Sequence, residues 1–124
     1  MAKHILVIDD EKDPRGALSQ GLQNEGYEVT EAGDGEEGLK KALEIKPDLI
    51  MLDIVMPKMD GLQMLEQLRQ DPWGKAANVL MLTVREEMTG LSKAIELEAL
   101  DYLIKTNWRL EEIVEKVREK IGQP

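Results

Sequence analysis

The chain has 124 residues, of which 42% are hydrophobic and 33% charged, a balance that predicts one soluble domain with its own core. Its net charge of −9 disfavours direct binding to nucleic acid or anionic lipid. With no cysteine and one histidine, disulfides, thiolate metal sites and histidine-rich zinc sites are excluded. No hydrophobic run is long enough for membrane insertion, and we expect a cytoplasmic protein.

Short hydrophobic runs alternate with segments of helical periodicity along the chain. Four of the runs are typical of buried strands, at residues 5–8, 49–52, 79–82 and 102–104, and a weaker, more polar strand is predicted at 27–30. The expected helix starts are, in chain order, Asp13 with Pro14, Asp34, Asp60 with Gly61, residue 86 and Leu110. The fourth helix is expected over residues 86–98.

This alternation predicts an α/β domain, a (βα)₅ doubly wound parallel sheet of five strands. The domain is expected to cover residues 1–121, with residues 122–124 as a short tail and no output domain. In such sheets, ligands bind beyond the carboxyl ends of the strands. The residues at the strand ends are therefore the first candidates for a functional site.

Charged and hydroxyl side chains follow the hydrophobic runs at that edge: Asp9 and Asp10, Asp53, Thr83, and Lys105. Taken singly, each has an ordinary explanation as a turn former, a strand residue or a solvated lysine. Together, however, the carboxylates would repel one another unless a cation lies among them. Oxygen ligands of this kind suit Mg²⁺, and Lys105 and Thr83 are suited to phosphoryl oxygens.

The same edge offers an aspartate suited to nucleophilic attack on phosphorus. Phosphoryl transfer to a carboxylate needs an in-line oxygen, a divalent cation and a further positive charge. Asp53 stands alone at the end of a central strand, whereas Asp9 and Asp10 are adjacent and better suited to hold metal. Asp53 is therefore the preferred phosphoacceptor.

Several motifs resemble those of the response-regulator receiver family. They are ILVIDD at 5–10, DLIMLDIVMP at 48–57 with MDG at 59–61, LT at 82–83 and DYLIK at 101–105, and they span almost the whole chain. The resemblance implies a flavodoxin-like sheet with strand order 2-1-3-4-5. It also implies a phosphoacceptor signalling protein of two-component systems rather than an enzyme.

The resemblance further implies a role for each matching residue. Asp10, Asp53 and the backbone carbonyl of Val55 would bind Mg²⁺, for which Mn²⁺ can substitute, with Asp9 acting through water or from outside the inner ligands.

Three residues would serve the phosphoryl group and the switch. Lys105 would pair with the phosphoryl group and Thr83 would hydrogen-bond to it. Tyr102 would be the switch aromatic, although ordinary packing of this ring is the alternative.

The partners implied are proteins. A sensor histidine kinase or histidine phosphotransfer protein would supply the phosphoryl group and dock near Pro14, Arg15 and Leu18. A downstream protein effector would bind a surface formed by the fourth helix, the fifth strand and the fifth helix. Trp108, at the start of the last helix, fits a partner contact and internal packing equally well.

Several residues depart from the family pattern. Val84 replaces a small residue beside Thr83 and is expected to slow phosphorylation without preventing it; the alternative is that its side chain points into the core and leaves the mouth of the site clear. The peptide bond before Thr106 lacks the usual proline and is expected to be trans. The resemblance also implies that Val55 and Arg85, each two residues after a site residue, flank the path of the attacking water. Neither offers a group that positions water, which predicts slow self-hydrolysis. Glu98 stands where a glycine usually ends the fourth helix, which removes an easy left-handed cap.

Three other functions compete with this interpretation. A haloacid-dehalogenase-type phosphatase needs a second acid two residues after its nucleophile, where this chain has Val55. A flavodoxin-like FMN carrier needs a phosphate cradle after the first strand, where this chain has acids. The serious alternative is a phosphorylation-deficient receiver that acts as a constitutive protein-binding module.

Overall fold

The computed structural model describes residues 2–54, 56, 59–83, 95–99, 101–104 and 109–124, and for Thr83 and Asp101–Ile104 it describes the backbone alone. The elements in these residues are β1 (His4–Ile8), α1 (Lys12–Asn24), β2 (Glu28–Ala32), α2 (Gly35–Ile45), β3 (Leu49–Asp53), α3 (Gly61–Leu68), a 3₁₀ turn (Gly74–Ala76), β4 (Val79–Thr83), β5 (Asp101–Ile104) and a C-terminal helix (Leu110–Ile121).

The strands form one parallel sheet with the order β2-β1-β3-β4-β5. This confirms the predicted fold class and strand order. The more polar strand, β2, lies at one edge, as expected. Because all strands are parallel, their carboxyl ends meet at one edge of the sheet, which we call the carboxyl edge, and their starts meet at the amino edge.

Alternating residues of the strands enter two separate hydrophobic layers. In β1, Leu6 and Ile8 pack on the face covered by α2 and α3, whereas Ile5 and Val7 pack on the face covered by α1 and the C-terminal helix. All four side chains are fully buried. Burial on both faces explains why these strands are continuous hydrophobic runs instead of alternating ones.

The helix caps were predicted correctly in two places and wrongly in a third. Asp34 caps α2 by accepting the backbone N–H of Glu37, and Asp60 caps α3 in a capping box with Gln63. The first helix, however, begins at Lys12, so Asp13 is not its N-cap. Proline is tolerated throughout a first turn, because the amides there have no helical acceptors.

The first helix, α1, buries only part of its hydrophobic side chains. Leu22 and Leu18 are buried, but Ala17 is exposed. Leu18 belongs to the core layer beneath α1, so little of its side chain faces solvent.

The chain end lies against the amino edge of the sheet. The hydroxyl group of Tyr27 donates to the backbone carbonyl of Gly122 at 2.7 Å, and Tyr27 is 3% exposed. The predicted tail therefore begins with a residue that is held by the core.

Most of the predicted fourth helix lies outside the described residues. Near its expected end, the backbone N–H of Glu98 donates to the carbonyl of Ile95 at 2.9 Å. Glu98 itself has φ of 62°, in the left-handed region. The position thus adopts the conformation that glycine favours, without the glycine. Among the described helices, none has the length and hydropathy to cross a membrane.

Candidate functional site

The sheet topology brings the ends of β1 and β3 together at the carboxyl edge. Ile8 and Leu52 are partners in the parallel ladder, so the next residues, Asp9 and Asp53, follow on neighbouring strands. Both are buried, with 2% and 3% of their surface exposed. Two carboxylates buried side by side are costly without a compensating charge.

Two further acids complete this group, which we call the acidic cluster. Asp9, Asp10, Glu11 and Asp53 each offer a carboxylate oxygen, and these oxygens lie within 4.8 Å of one another. Asp10 and Glu11 are exposed, whereas Asp9 and Asp53 lie beneath them. The cluster thus consists of two buried carboxylates and two that are exposed to solvent.

Glu11 was not among the predicted metal-site residues. The sequence placed the start of α1 at Asp13, which left Glu11 in a connecting loop. Because the helix begins at Lys12 and Glu11 is its N-cap residue, Glu11 stays at the carboxyl edge beside Asp10. Its position directly after two aspartates was the signal that could have revealed it.

The backbone of Asp9 is held from several directions. Its N–H donates to the carbonyl of Ala32 on β2 at 3.1 Å. Its carboxylate Oδ1 accepts the N–H of Glu11 at 3.0 Å, and its carbonyl accepts Nη1 of Arg15 at 2.8 Å. These bonds determine where the chain turns from β1 into α1.

The other side of the cluster is built by the connection from β3 to α3. The backbone N–H of Ile54 donates to the carbonyl of Leu82 at 3.1 Å, and the N–H of Gly61 donates to the carbonyl of Ile54 at 2.8 Å. A side chain at Gly61 would overlap the carbonyl oxygen of Asp53. Glycine is therefore required for α3 to begin so close to the end of β3.

The donor set of the cluster determines which ligand it suits. Its members are carboxylates with several oxygens facing one small volume. Hard, oxygen-only ligands of this kind fit Mg²⁺ or Mn²⁺ and disfavour softer metals. The structure thus brings Asp9, Asp10 and Asp53 together as expected.

The remaining predicted site residues are described in part or not at all. Thr83 is the last residue of β4 and pairs with Ile104, the last residue of β5, and Tyr102 pairs with Met81. Lys105 directly follows Ile104 in the chain. The predictions that lie outside the described residues concern Val55, Val84, Arg85, Lys105, Thr106 and Trp108.

Comparison with protein families gives one match over most of the chain. The family model of the response regulator receiver domain matches residues 5–118. The alkaline phosphatase synthesis transcriptional regulatory protein PhoP of Bacillus subtilis is 46% identical over 105 residues, which are 85% of this chain and 43% of PhoP. Response regulator MprA of Mycobacterium ulcerans is 36% identical over 118 residues, 95% of this chain and 50% of MprA. The chain spans about half the length of these curated relatives.

Solved structures give matches over nearly whole chains. The chemotaxis protein CheY4 of Vibrio cholerae superposes with a TM-score of 0.89 at 29% identity, covering 97% of this chain and 99% of CheY4. The receiver domain of AraT, a response regulator from Geobacillus stearothermophilus, superposes with a TM-score of 0.82 at 34% identity, covering 97% of this chain and 95% of that one.

Proposed function

Because the chain belongs to the response-regulator receiver family, we propose that it accepts a phosphoryl group on Asp53 from a phosphohistidine. The donor would be a sensor histidine kinase or a histidine phosphotransfer protein. One observation carries the proposal: Asp53 is buried at the end of the central strand, within 4.8 Å of three other carboxylates. The product stays on the protein, so its role is signalling rather than turnover of a separate substrate.

The acidic cluster fits the divalent cation that this reaction needs. In the proposal, Asp10, Asp53 and the backbone carbonyl of Val55 hold Mg²⁺ or Mn²⁺, with Asp9 acting through water or from outside the inner ligands. When bound, the ion supplies positive charge against the oxygens of the transferring phosphoryl group. Two features support this metal site: the ligands are all oxygen atoms, and the carboxylates would repel one another without a cation.

The transfer itself exchanges one bond to phosphorus for another. An oxygen of the Asp53 carboxylate bonds to phosphorus as the bond from phosphorus to the imidazole nitrogen of the donor breaks. The electron pair of that bond returns to the imidazole, which leaves as a neutral ring because its other nitrogen has taken up a proton from solvent. Asp53 reacts as a carboxylate, so no base is needed to activate it. Lys105 would neutralise the phosphoryl oxygens, and Thr83 would donate a hydrogen bond to one of them.

The phosphoryl group would then bias a two-state switch. Thr83 would move towards the phosphoryl group and Tyr102 would turn inward with it. The surface that responds would comprise the predicted fourth helix, β5 and the C-terminal helix. The ladder supports this coupling, because Thr83 and Ile104 are partners at the ends of β4 and β5.

The downstream partner in this proposal is a separate protein, as for a stand-alone receiver. The curated relatives, of which the chain covers about half, favour an attached output domain instead. The net charge of −9 supports a protein partner over direct binding to nucleic acid. The absence of cysteine agrees with a cytoplasmic location.

The proposal is tested by labelling with phosphoramidate and Mg²⁺, followed by mass spectrometry of the intact protein and its peptides. We expect one phosphoryl group on Asp53, formed only with Mg²⁺ or Mn²⁺. Asp53→Asn should abolish labelling, and Asp10→Asn should raise the Mg²⁺ concentration that labelling requires.

Asp48→Asn is the matched control, because Asp48 precedes the same strand that Asp53 ends and lies at the opposite edge of the sheet. It should be labelled at the rate of the unmodified protein. Undiminished labelling of Asp53→Asn would refute the assignment. No labelling of the unmodified protein, with Mg²⁺ bound, would favour the constitutive binding module.

A further inference from the structure

One arginine of α1 contacts the turn that carries the acidic cluster. Nη1 of Arg15 donates to the backbone carbonyl of Asp9 at 2.8 Å, and Nε donates to Oε1 of Glu31 at 2.8 Å. The side chain of Arg15 is 17% exposed. The guanidinium thus joins the first helix to the ends of β1 and β2.

The acceptor of the first bond belongs to the residue before Asp10 and Glu11. A rotation of the peptide unit after Asp9 would therefore move both of the following carboxylates. The N–H of Asp9 and its carboxylate are held by bonds to Ala32 and Glu11. Arg15 adds the bond that holds the carbonyl of this peptide unit.

We propose that Arg15 is a positioning residue of the metal centre. It holds the Asp9–Asp10 peptide unit so that the carboxylates of the cluster are arranged for a divalent cation before the cation arrives. Arg15 thereby raises the affinity of the site for Mg²⁺, and with it the phosphorylation rate at low Mg²⁺. The last step rests on the proposed function of Asp53.

Glu31 forms an ion pair with Arg15, which allows a positively charged side chain to lie near a cation site. An unpaired guanidinium near the cluster would repel Mg²⁺, but the ion pair with Glu31 offsets that charge. Glu31 is itself held, since its backbone carbonyl accepts Nζ of Lys41 at 2.6 Å. Arg15 can therefore order the turn through hydrogen bonds without a net positive charge beside the metal.

The sequence suggested a different use of Arg15, as a docking contact for the phosphohistidine donor. The two roles predict different results. A docking residue affects transfer from a protein donor and leaves metal affinity unchanged. A positioning residue affects metal affinity and labelling by a small phosphodonor alike.

The decisive variant is the double substitution Arg15→Met/Glu31→Gln, which removes the ion pair and leaves the net charge unchanged. Its Mn²⁺ affinity is measured by electron paramagnetic resonance of the free ion. We expect binding about tenfold weaker than in the unmodified protein, as is usual when a residue that orients a metal ligand is removed. Labelling by phosphoramidate should slow by a similar factor at low Mg²⁺ and recover at saturating Mg²⁺.

The matched control is Arg118→Met/Glu25→Gln. This pair has the same residue types and an Nη2–Oε1 distance of 2.9 Å, but it joins the C-terminal helix to the residue after α1. It should leave Mn²⁺ affinity unchanged. Arg15→Lys should recover part of the affinity, because a lysine keeps the charge but cannot donate to both acceptors from a planar group.

Unchanged Mn²⁺ affinity in the Arg15→Met/Glu31→Gln protein would overturn the inference, as would an equal loss in the control. If that variant does not fold, Arg15→Lys decides, and wild-type affinity there would overturn it. A slowing confined to a phosphohistidine donor would assign Arg15 to docking instead. Failure of the proposed function is seen separately, as absence of label on Asp53 in the unmodified protein that binds Mn²⁺.

Discussion

At the carboxyl edge of the sheet, four carboxylates offer oxygens within 4.8 Å of one another, whereas charges at the amino edge meet complementary partners. There the carboxylate of Asp48 accepts the backbone N–H of His4 at 2.7 Å, and the guanidinium of Arg69 donates to several carbonyls. One edge of the sheet thus gathers four carboxylates around one small volume, whereas the polar groups described at the other edge bind partners of complementary character. The difference separates residues that stabilise the domain from residues arranged for a ligand.

Among the described residues, Arg69 makes several hydrogen bonds at the amino edge. It follows α3, and it donates to the carbonyls of Gly74, Ala77 and Leu97 at 2.7 Å and of Glu98 at 3.1 Å. These carbonyls precede β4 and β5, so one side chain joins the approaches to two strands. Burial lowers the pKa of this guanidinium, and the carboxylate of Glu98 acts in the opposite direction.

Replacing Arg69 should therefore have the largest effect on the free energy of unfolding. Arg69→Met leaves backbone carbonyls without their donors and should lower the free energy of unfolding by roughly 2–4 kcal/mol. Urea unfolding measures this, with Arg118→Met as the control for an arginine in a surface ion pair, which should cost at most about 1 kcal/mol. Equal losses in the two proteins would mean that the amino edge does not depend on this residue.

Asp53 ends β3 and Asp48 precedes it, and neutralising the two residues should have different effects on stability. Without metal, Asp53→Asn should raise the free energy of unfolding by about 1 kcal/mol, because it removes a carboxylate from a repelling group. Asp48→Asn should give no gain, since Asp48 lies outside the acidic cluster and the substitution weakens the bond that its carboxylate accepts from the backbone N–H of His4. If both proteins gain equally, the cause is the overall net charge and the contrast between the edges is wrong.

With Mg²⁺ present, Asp53→Asn should become the less stable of the two variants. A ligand present at 100 times its dissociation constant stabilises the folded protein by about 2.7 kcal/mol. The unmodified protein and Asp48→Asn should both gain this stability, and Asp53→Asn should gain much less. Parallel unfolding curves with and without Mg²⁺ measure all three.

Tyr27 gives a smaller, pH-dependent effect at the amino edge. Its burial raises the pKa of the phenol, with Arg118 acting against and Glu25 adding to the shift. The folded protein therefore keeps this proton to a higher pH than the unfolded chain does. The stabilisation is complete below the ordinary tyrosine pKa of about 10 and is lost as the pH rises through the folded-state pKa.

Tyr27→Phe should remove that loss and also remove the hydrogen bond to Gly122. At neutral pH it should lower the free energy of unfolding by about 1 kcal/mol. Unfolding followed from pH 7 upward should show the two proteins converging above pH 10. A constant difference at all pH values would contradict the assigned cause.

The sequence predicted the carboxyl edge better than the amino edge. Asp9, Asp10 and Asp53 were found because each ends a hydrophobic run, and the runs are unmistakable where strands are buried on both faces. The start of α1 was less clear, since Pro14 fits several places in a first turn, and Glu11 was missed with it.

Long polar side chains that bind distant backbone were not predictable. Arg69 reaches Leu97 and Glu98 from 28 and 29 residues away, and Arg15 reaches back to Asp9 and forward to Glu31. Acceptors that are backbone carbonyls leave no trace in residue type or periodicity. Such contacts depend on how the elements pack, which is known only once the fold is formed.

The smallest expected effect on stability comes from Glu98, whose backbone conformation at the amino edge is unfavourable for a residue with a side chain. Glu98 has φ of 62°, and a residue with a Cβ atom pays roughly 1 kcal/mol or more for this conformation. Glu98→Gly removes that cost but gives the unfolded chain more freedom, so we expect a net gain of about 0.5 kcal/mol. The bond from Arg69 is kept, because its acceptor is the backbone carbonyl. Glu98→Ala loses the same charge but keeps the Cβ atom, so it should show no gain in thermal unfolding. A gain in the alanine variant equal to that in the glycine variant would assign the effect to charge, and would leave the left-handed residue without a measurable cost.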